Sequence, residues 1–212
     1  MRKIVPIVEG DGEVDAVPAL LHKMLKASGR SDIGVGTPLN AHSCSNLTKT
    51  GGLERFVQIA ALRQDCGAIL VLMDADKGCP LTIAKDFVDR IKKLGTKYPV
   101  VVVIANCEYE AWFLASLETI TGKDLDGRTG LPAGTSYPTL DVEGRVGVKE
   151  WLDRKFPGSR KYKETQDQVC MTRLLDPELV QPRSRSFRRL RKAVDEAVAA
   201  IDAQQVIVTP LI

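Results

Sequence analysis

The chain has 212 residues, of which 44% are hydrophobic and 27% charged, and its net charge is +3. That size and balance fit one soluble α/β domain, or a domain with a modest appendage, and exclude a disordered or bilayer-embedded chain. The small net charge excludes nothing and promises nothing about nucleic acid; only the placement of the charges can speak to that.

Ile4–Val8 is apolar throughout and predicts a buried strand, with Pro6 arguing against a central place in a sheet. It stops at Glu9-Gly-Asp-Gly-Glu13, and Val14–Leu25 follows with helical spacing through Val17, Leu20, Leu21, Met24 and Leu25. Ile33–Val35 predicts a short strand, Asn40–Thr50 a polar loop, and Leu53–Leu62 a second helix. Ala68–Met73 is the clearest strand, and Leu81–Leu94 carries the next helix on Ile83, Phe87, Ile91 and Leu94. Val100–Ala105 is again fully apolar, and a helix is expected to start at Glu108 and run to Leu117. Gly122–Gly147 reads as irregular, Val148–Phe156 as a short helix, and 157–183 as polar with scattered apolar positions. Ser184–Ile201 predicts a strong helix with Ser184 as its N-cap, and Gln205–Val208 a last strand. The expected division is an α/β core over 1–120 and an irregular and helical extension over 121–212 that packs on the core.

Strands apolar on both faces, alternating with amphipathic helices, imply a mainly parallel sheet covered on both sides. Ligands bind such sheets at the carboxyl ends of the strands. Three strand ends deliver acids to that rim: Glu9, Asp11 and Glu13; Asp74 and Asp76; and Glu108 and Glu110. The glycines after the first strand serve a tight turn, but the turn does not require Glu9. Asp74-Ala-Asp76 can present two carboxylates to one hard cation, although a helix cap or solvated turn would use the same residues. Glu108 and Glu110 suit a helix N-terminus by its dipole, or could supply oxygens to a second ion, as two-metal sites require. Trp112 and Phe113 read as core.

Other chemistries fit less well. Walker A is absent, and Gly10-Asp-Gly-Glu-Val-Asp15 ends in aspartate where a dinucleotide fingerprint needs glycine. An EF-hand fails at Gly78 and Lys85, and a haloacid-dehalogenase motif fails at Gly78. A DxD glycosyltransferase stays open. The five cysteines form no CxxC pair and suggest neither a disulfide framework nor a zinc knuckle. With only His22 and His42 available, a metal would lean on carboxylates, which favours Mg²⁺ or Mn²⁺. His22 reads as structural, and His42 and Cys44 are not counted in the site. The apolar stretch behind Arg2 and Lys3 is too short for a secretory leader, so a cytoplasmic protein is expected.

Arg185, Arg188, Arg189 and Lys192 lie at i, i+3, i+4 and i+7 and form a basic stripe on the late helix. Arg154, Lys155, Arg160, Lys161 and Lys163 form a second cluster upstream. Either could be a solvated face or a phosphate grip. Lys77 beside the DxD could balance its acids or contact a phosphate.

Val8-Glu9-Gly10 after one strand and Asp74-Ala-Asp76 after another resemble the Toprim domain of primases, topoisomerases and nucleases. The resemblance implies an acid/base or metal role for Glu9 and Mg²⁺ binding by Asp74 and Asp76. Most of the chain is similar to a Toprim-like family of uncharacterised prokaryotic proteins. The matching stretches are IVEGDGE, Asp74-Ala-Asp76, Glu108-Tyr-Glu-Ala-Trp-Phe-Leu-Ala115, Tyr162–Asp167, Leu174–Asp176 and Ser184–Phe187. The resemblance implies a metal-dependent, nuclease-like phosphodiester activity in phage defence or mobile-element biology, with nucleic acid as a partner. It also leaves open a non-catalytic module working beside a separate ATPase subunit. Glu13, Glu108 and Glu110 are the candidates for a second ion.

Overall fold

A computed structural model describes residues 1–139, 141–144 and 146–211. Leu140 and Arg145 of the irregular segment, and Ile212, lie outside the described residues. In chain order the strands are β1 (Arg2–Val8), β2 (Ile33–Val35), β3 (Leu39–Asn40), β4 (Cys66–Asp74), β5 (Val100–Ala105) and β6 (Val208–Thr209). The helices are α1 (Asp11–Ala27), α2 (Cys44–Thr48), α3 (Gly52–Ala61), α4 (Pro80–Leu94), α5 (Ala111–Leu114), α6 (Leu117–Ile120), α7 (Val148–Lys155), α8 (Val169–Leu174), α9 (Pro177–Arg183) and α10 (Arg185–Ala203). A π-helical turn, Glu164–Gln168, runs directly into α8.

The sheet has the order β2-β1-β4-β5-β6, with β3 also against β1, and every pairing is parallel. Alternation along the strands divides the core in two. Ile4, Val8, Leu70, Leu72, Val101 and Val103 pack with α1, α5, α8 and α10. Val5, Ile7, Ile69, Val71, Val102 and Ile104 pack with α3 and α4. This is the both-faces-covered arrangement that the unbroken apolar strands require.

β1 is central, contrary to the expectation from Pro6. Ile4 O accepts from Gly36 N, and Val8 O accepts from Ala41 N, so the even-numbered residues of β1 face the β2/β3 side. β2 pairs as far as Ile4↔Val35, and β3 begins at Ile7↔Leu39. Pro6 therefore turns its missing N–H into the gap between two short strands, where no ladder bond is lost.

Residues after 120 are integral to the α/β core. α10 lies on the face of β4 and β5, and β6 extends the sheet itself at Val100↔Val208 and Val101↔Thr209. Ser184 caps α10 as expected, accepting from Phe187 N at 3.0 Å. The same N-terminus is clasped by Glu143, whose carboxylate accepts from Arg185 N and Ser186 N at 2.8 and 2.9 Å and from both serine hydroxyls. The helix expected from Glu108 to Leu117 is two short ones, α5 and α6, broken at Ala115–Ser116 and preceded by a turn over Glu108–Glu110.

Gly12 explains part of the glycine pattern after β1. A Cβ there would collide with the Gln168 side-chain oxygen and crowd Glu164 Cβ, because the π-helical turn packs against the start of α1. Gly12→Ala is expected to lower stability by about 1–3 kcal/mol through overpacking. Adding Gln168→Ala should recover a large part of the loss, as read from urea denaturation of the double-mutant cycle; an additive result would refute the steric account.

Candidate functional site

The carboxyl ends of β1, β4 and β5 meet at one rim, and the acids there have unequal fates. Glu9, half-buried directly off β1, accepts from Asp74 N at 3.2 Å. Burial raises its pKa above the usual glutamate value, the Asp74 N–H opposes that, and the Asp76 charge adds to it. The turn after β4 is tied down by Ala75 N to Ala105 O and Asp76 N to Cys107 O. Asp76 adopts φ 48° in this turn, a left-handed conformation that aspartate tolerates better than most residues. That lifts its carboxylate into solvent beside Glu9. Ligand atoms of Glu9, Asp76 and Cys44 all lie within 4.8 Å of one another.

Asp74 does not join that group. It is buried, and its Oδ1 accepts from Tyr109 N at 2.9 Å, which fastens the turn after β5 to the end of β4. Burial raises its pKa well above the usual aspartate value, and the charges of Glu110 and Glu13 add to this. Glu13 is also buried, and its Oε2 accepts from Gly10 N at 2.6 Å, satisfying a backbone N–H at the start of α1. Burial pushes it up to about 7, with the Glu9 charge contributing. Asp11, by contrast, is exposed and accepts from Asn40 Nδ2, and Asp15 is exposed on α1.

The two acids after β5 also separate. Glu108 accepts from Gly147 N, Val148 N and Lys149 N at 2.8, 2.9 and 3.2 Å, so both of its oxygens cap α7. This engagement, and not a place beside an ion, is where the structure puts Glu108. Glu110 is fully buried; its Oε1 accepts from Tyr162 OH at 3.0 Å, and its Oε2 has no hydrogen-bond partner. Burial pushes it up to about 8, against the pull of Lys149. Lys149 Nζ lies 3.9 Å from Glu110 Oε2 and 3.2 Å from Glu164 Oε1. Burial disfavours its charge, but Glu110, Asp74 and Glu164 outweigh that and raise its pKa above the ordinary lysine value.

Most of the basic groups point elsewhere. Arg189 bonds Glu196 and Thr209 Oγ1 at 2.9 and 2.7 Å and reaches Val102 O, closing the sheet edge at β6. Arg188 Nη1 returns to the carbonyls of Gln181 and Pro182 at the end of α9. Lys192 is exposed, 3.8 Å from Glu196. The stripe runs along α10 away from the rim, and its leading residue, Arg185, shares a cavity of about 420 Å³ with Cys79, Leu81 and Asn106. The side chains of Arg185 and Lys77 have no hydrogen-bonded or charged partner among the described residues. In the upstream cluster, Arg160 pairs with buried Asp167 at 2.6 Å and stacks over Phe156, and Lys155 lies over Trp151. Trp112 and Phe113 are core, as expected.

Cys44 and Lys149 are the members of the rim that sequence reasoning missed. Cys44 sits at the start of α2, inside the stretch that reads as a loop, and burial together with Glu9 and Asp76 raises its thiol pKa. A cysteine opening a short helix directly after Ser43 was the available signal. Lys149 had none beyond lying in the first turn of a predicted helix.

The architecture is thus a parallel α/β sheet with an acidic strand-end rim, half of it solvent-facing and half buried. Residues 8–195 match the family model described as Domain of unknown function (DUF4276), and the chain belongs to that family. Neither a curated protein nor a solved structure matches it. No described helix is long and apolar enough to cross a membrane.

Two predictions follow from this geometry. Glu108→Ala should lower stability by about 2 kcal/mol through loss of a charged cap, while leaving divalent-ion affinity unchanged in calorimetry; a large loss of ion affinity in a folded variant would contradict the capping role. Glu13 and Glu110 hold protons in the fold at pH values where the unfolded chain has released them. Stability should therefore fall as pH rises from about 4.5 toward 8, by on the order of a few kcal/mol. Denaturation midpoints across that range check this, and Glu13→Gln and Glu110→Gln should each flatten the slope.

Proposed function

We propose that the chain is a Toprim-like, divalent-metal-dependent phosphodiester-processing protein, nuclease-like in its chemistry. The observation that carries the reading is the convergence of Glu9 and Asp76, from two different strand ends, with Cys44 within 4.8 Å. Ligand atoms bound to one Mg²⁺ or Mn²⁺ at about 2.1 Å are at most about 4.2 Å apart, so the group needs only a small side-chain adjustment to hold an ion. Two carboxylates suit either metal; the thiol is foreign to Mg²⁺ and better tolerated by Mn²⁺. When bound, such an ion supplies charge stabilisation at a phosphate oxygen.

The protein's own groups have distinct parts in this reading. Glu9, with its raised pKa, is suited to take a proton from an attacking water. Asp74 acts behind it, holding Glu9 through its N–H and the Tyr109–Glu110 turn through its carboxylate. Among the described residues, Arg185 and Lys77 are cations free to meet a phosphate. A second reading, a non-catalytic module beside a separate ATPase, draws support from Arg188 and Arg189. Arg188 is turned back onto the carbonyls of α9 and Arg189 onto Glu196, which narrows the free cationic surface for a long nucleic acid.

The test is cleavage of labelled single- and double-stranded DNA and RNA with Mg²⁺ or Mn²⁺. Wild type should cut at least one substrate, and Glu9→Gln and Asp76→Asn should each lose about 100-fold or more. Binding should weaken steeply with salt, and Arg185→Ala should reduce that slope. No cleavage by wild type on any substrate, or undiminished cleavage by both variants, would sink the catalytic reading.

A further inference from the structure

The outer edge of β5 is covered by β6 only in part. Ile69 N donates to Pro99 O and Ala75 N to Ala105 O, so the odd-numbered residues along β5 turn their backbone groups to β4. Val100 N donates to Ile207 O, so the even-numbered ones face outward. β6 pairs at Val100↔Val208 and Val101↔Thr209, and Pro210 follows with no N–H to continue the ladder. β5 itself runs on to Ala105. Past the pairing, Val102 O is reached by Arg189 Nε at a long 3.4 Å. Ile104 N, Ile104 O and Asn106 N have no hydrogen-bond partner among the described residues. Leu211 is 86% exposed, so the chain leaves the sheet there.

The uncovered length, Val102 to Asn106, spans about 13 Å at the rise of a strand. It lines the cavity of about 420 Å³ that Arg185 shares, with Leu81 and Ala84 of α4 on one side and Arg185 and Arg189 of α10 on the other. The side chains of Val102 and Ile104 are buried in the core under α3 and α4, so their contribution to the cavity is mainly backbone. No acid lines the cavity. Arg189 is held by Glu196, whereas the Arg185 side chain has no partner among the described residues. Asn106 Nδ2 donates to the carbonyl of Glu143, the residue that clasps the start of α10, and Arg189, one turn further along, reaches Val102 O. Arg185 therefore stands at the Asn106 end of the edge.

We propose that this cavity receives an extended peptide segment of a partner protein, added to β5 as a parallel strand beyond the end of β6, with a carboxylate that meets Arg185. An unpaired strand edge is a template for an extended chain, which alone offers a matching row of N–H and C=O groups. The parallel direction continues that of β6 and brings the segment's carboxyl end to Arg185, whose planar guanidinium suits a carboxylate. Apolar side chains of the segment would pack on Leu81, which is 64% exposed, and on Ala84. The proposal does not rest on the metal-binding reading, and a bound segment would withdraw Arg185 from any phosphate.

The experiment begins with selection of a displayed library of random octapeptides, with free C-termini, on the full chain. Synthetic copies of the selected peptides are then measured by fluorescence anisotropy. Arg185→Gln and Leu81→Lys should each weaken binding about tenfold or more. Amidating the peptide C-terminus, or converting its acidic side chain to the amide, should do the same and shows which carboxylate Arg185 takes. Amide exchange followed by NMR reads the edge itself. Bound peptide should slow exchange at Ile104 and Asn106 about tenfold or more, and leave Val103, whose N–H faces β4, unchanged. Four results would each overturn the proposal: no peptide enriched on wild type over Arg185→Gln; binding indifferent to every carboxylate change; binding with exchange at Ile104 and Asn106 unaltered; or a wild-type dimer in sedimentation that Leu81→Lys dissolves, which would give the edge to a second copy. The exchange measurement uses wild type, so it decides even where a variant folds poorly.

Discussion

Like charge gathered at one edge of a parallel sheet is the constraint on which this structure turns. Parallel strands all end on the same side, so acids that follow β1, β4 and β5 are forced together. The fold answers with a different device for each acid. Asp76 is turned out into water, Glu13 and Glu108 are spent on helix N-termini, Asp74 is satisfied by a backbone N–H, and Glu110 is faced by a lysine. The helices around the rim are where they are partly because their exposed N–H groups are the partners those carboxylates need.

This division of labour also ties the C-terminal portion to the core. α7 brings Lys149, the π-helical turn brings Glu164, and Tyr162 brings the hydroxyl that satisfies Glu110. Helix α10 is locked at its start by Glu143, and Trp112 donates to Ser186 in the same knot at 2.9 Å. The core and the later segments meet through buried polar contacts as much as through apolar packing, and such contacts specify one arrangement more sharply than apolar packing alone.

The sheet and its helices were legible because strand and helix periodicity are local properties. Val100–Ala105 and Ile33–Val35 can be bounded to the residue by their apolar runs, and Ser184 announces its helix by cap chemistry. What periodicity does not encode is the partner of a charged side chain. The spacing of Arg185, Arg188, Arg189 and Lys192 is visible in sequence, but Glu196, Thr209 and the end of α9, which hold two of them, are not. Glu108 looked like Glu110 because both follow β5, and only the fold brings the N-terminus of α7, some 40 residues later, onto one of them. Pro6 misled because its effect depends on whether the neighbouring strand is continuous, and here that neighbour is two short pieces.

The segment that follows residue 184 closes the sheet. Val208–Thr209 supplies the outer partner of β5, and α10 covers the face that Val101 and Val103 present. During synthesis, β1, β4 and β5 emerge well before either arrives, leaving a nascent sheet with one open edge and one bare apolar face. Such an intermediate is sticky. The chain's vulnerable interval therefore lies between the emergence of β5 and that of α10 and β6, and a block near residue 200 would strand it in a form more prone to clump than a block before β4, where little sheet has yet assembled.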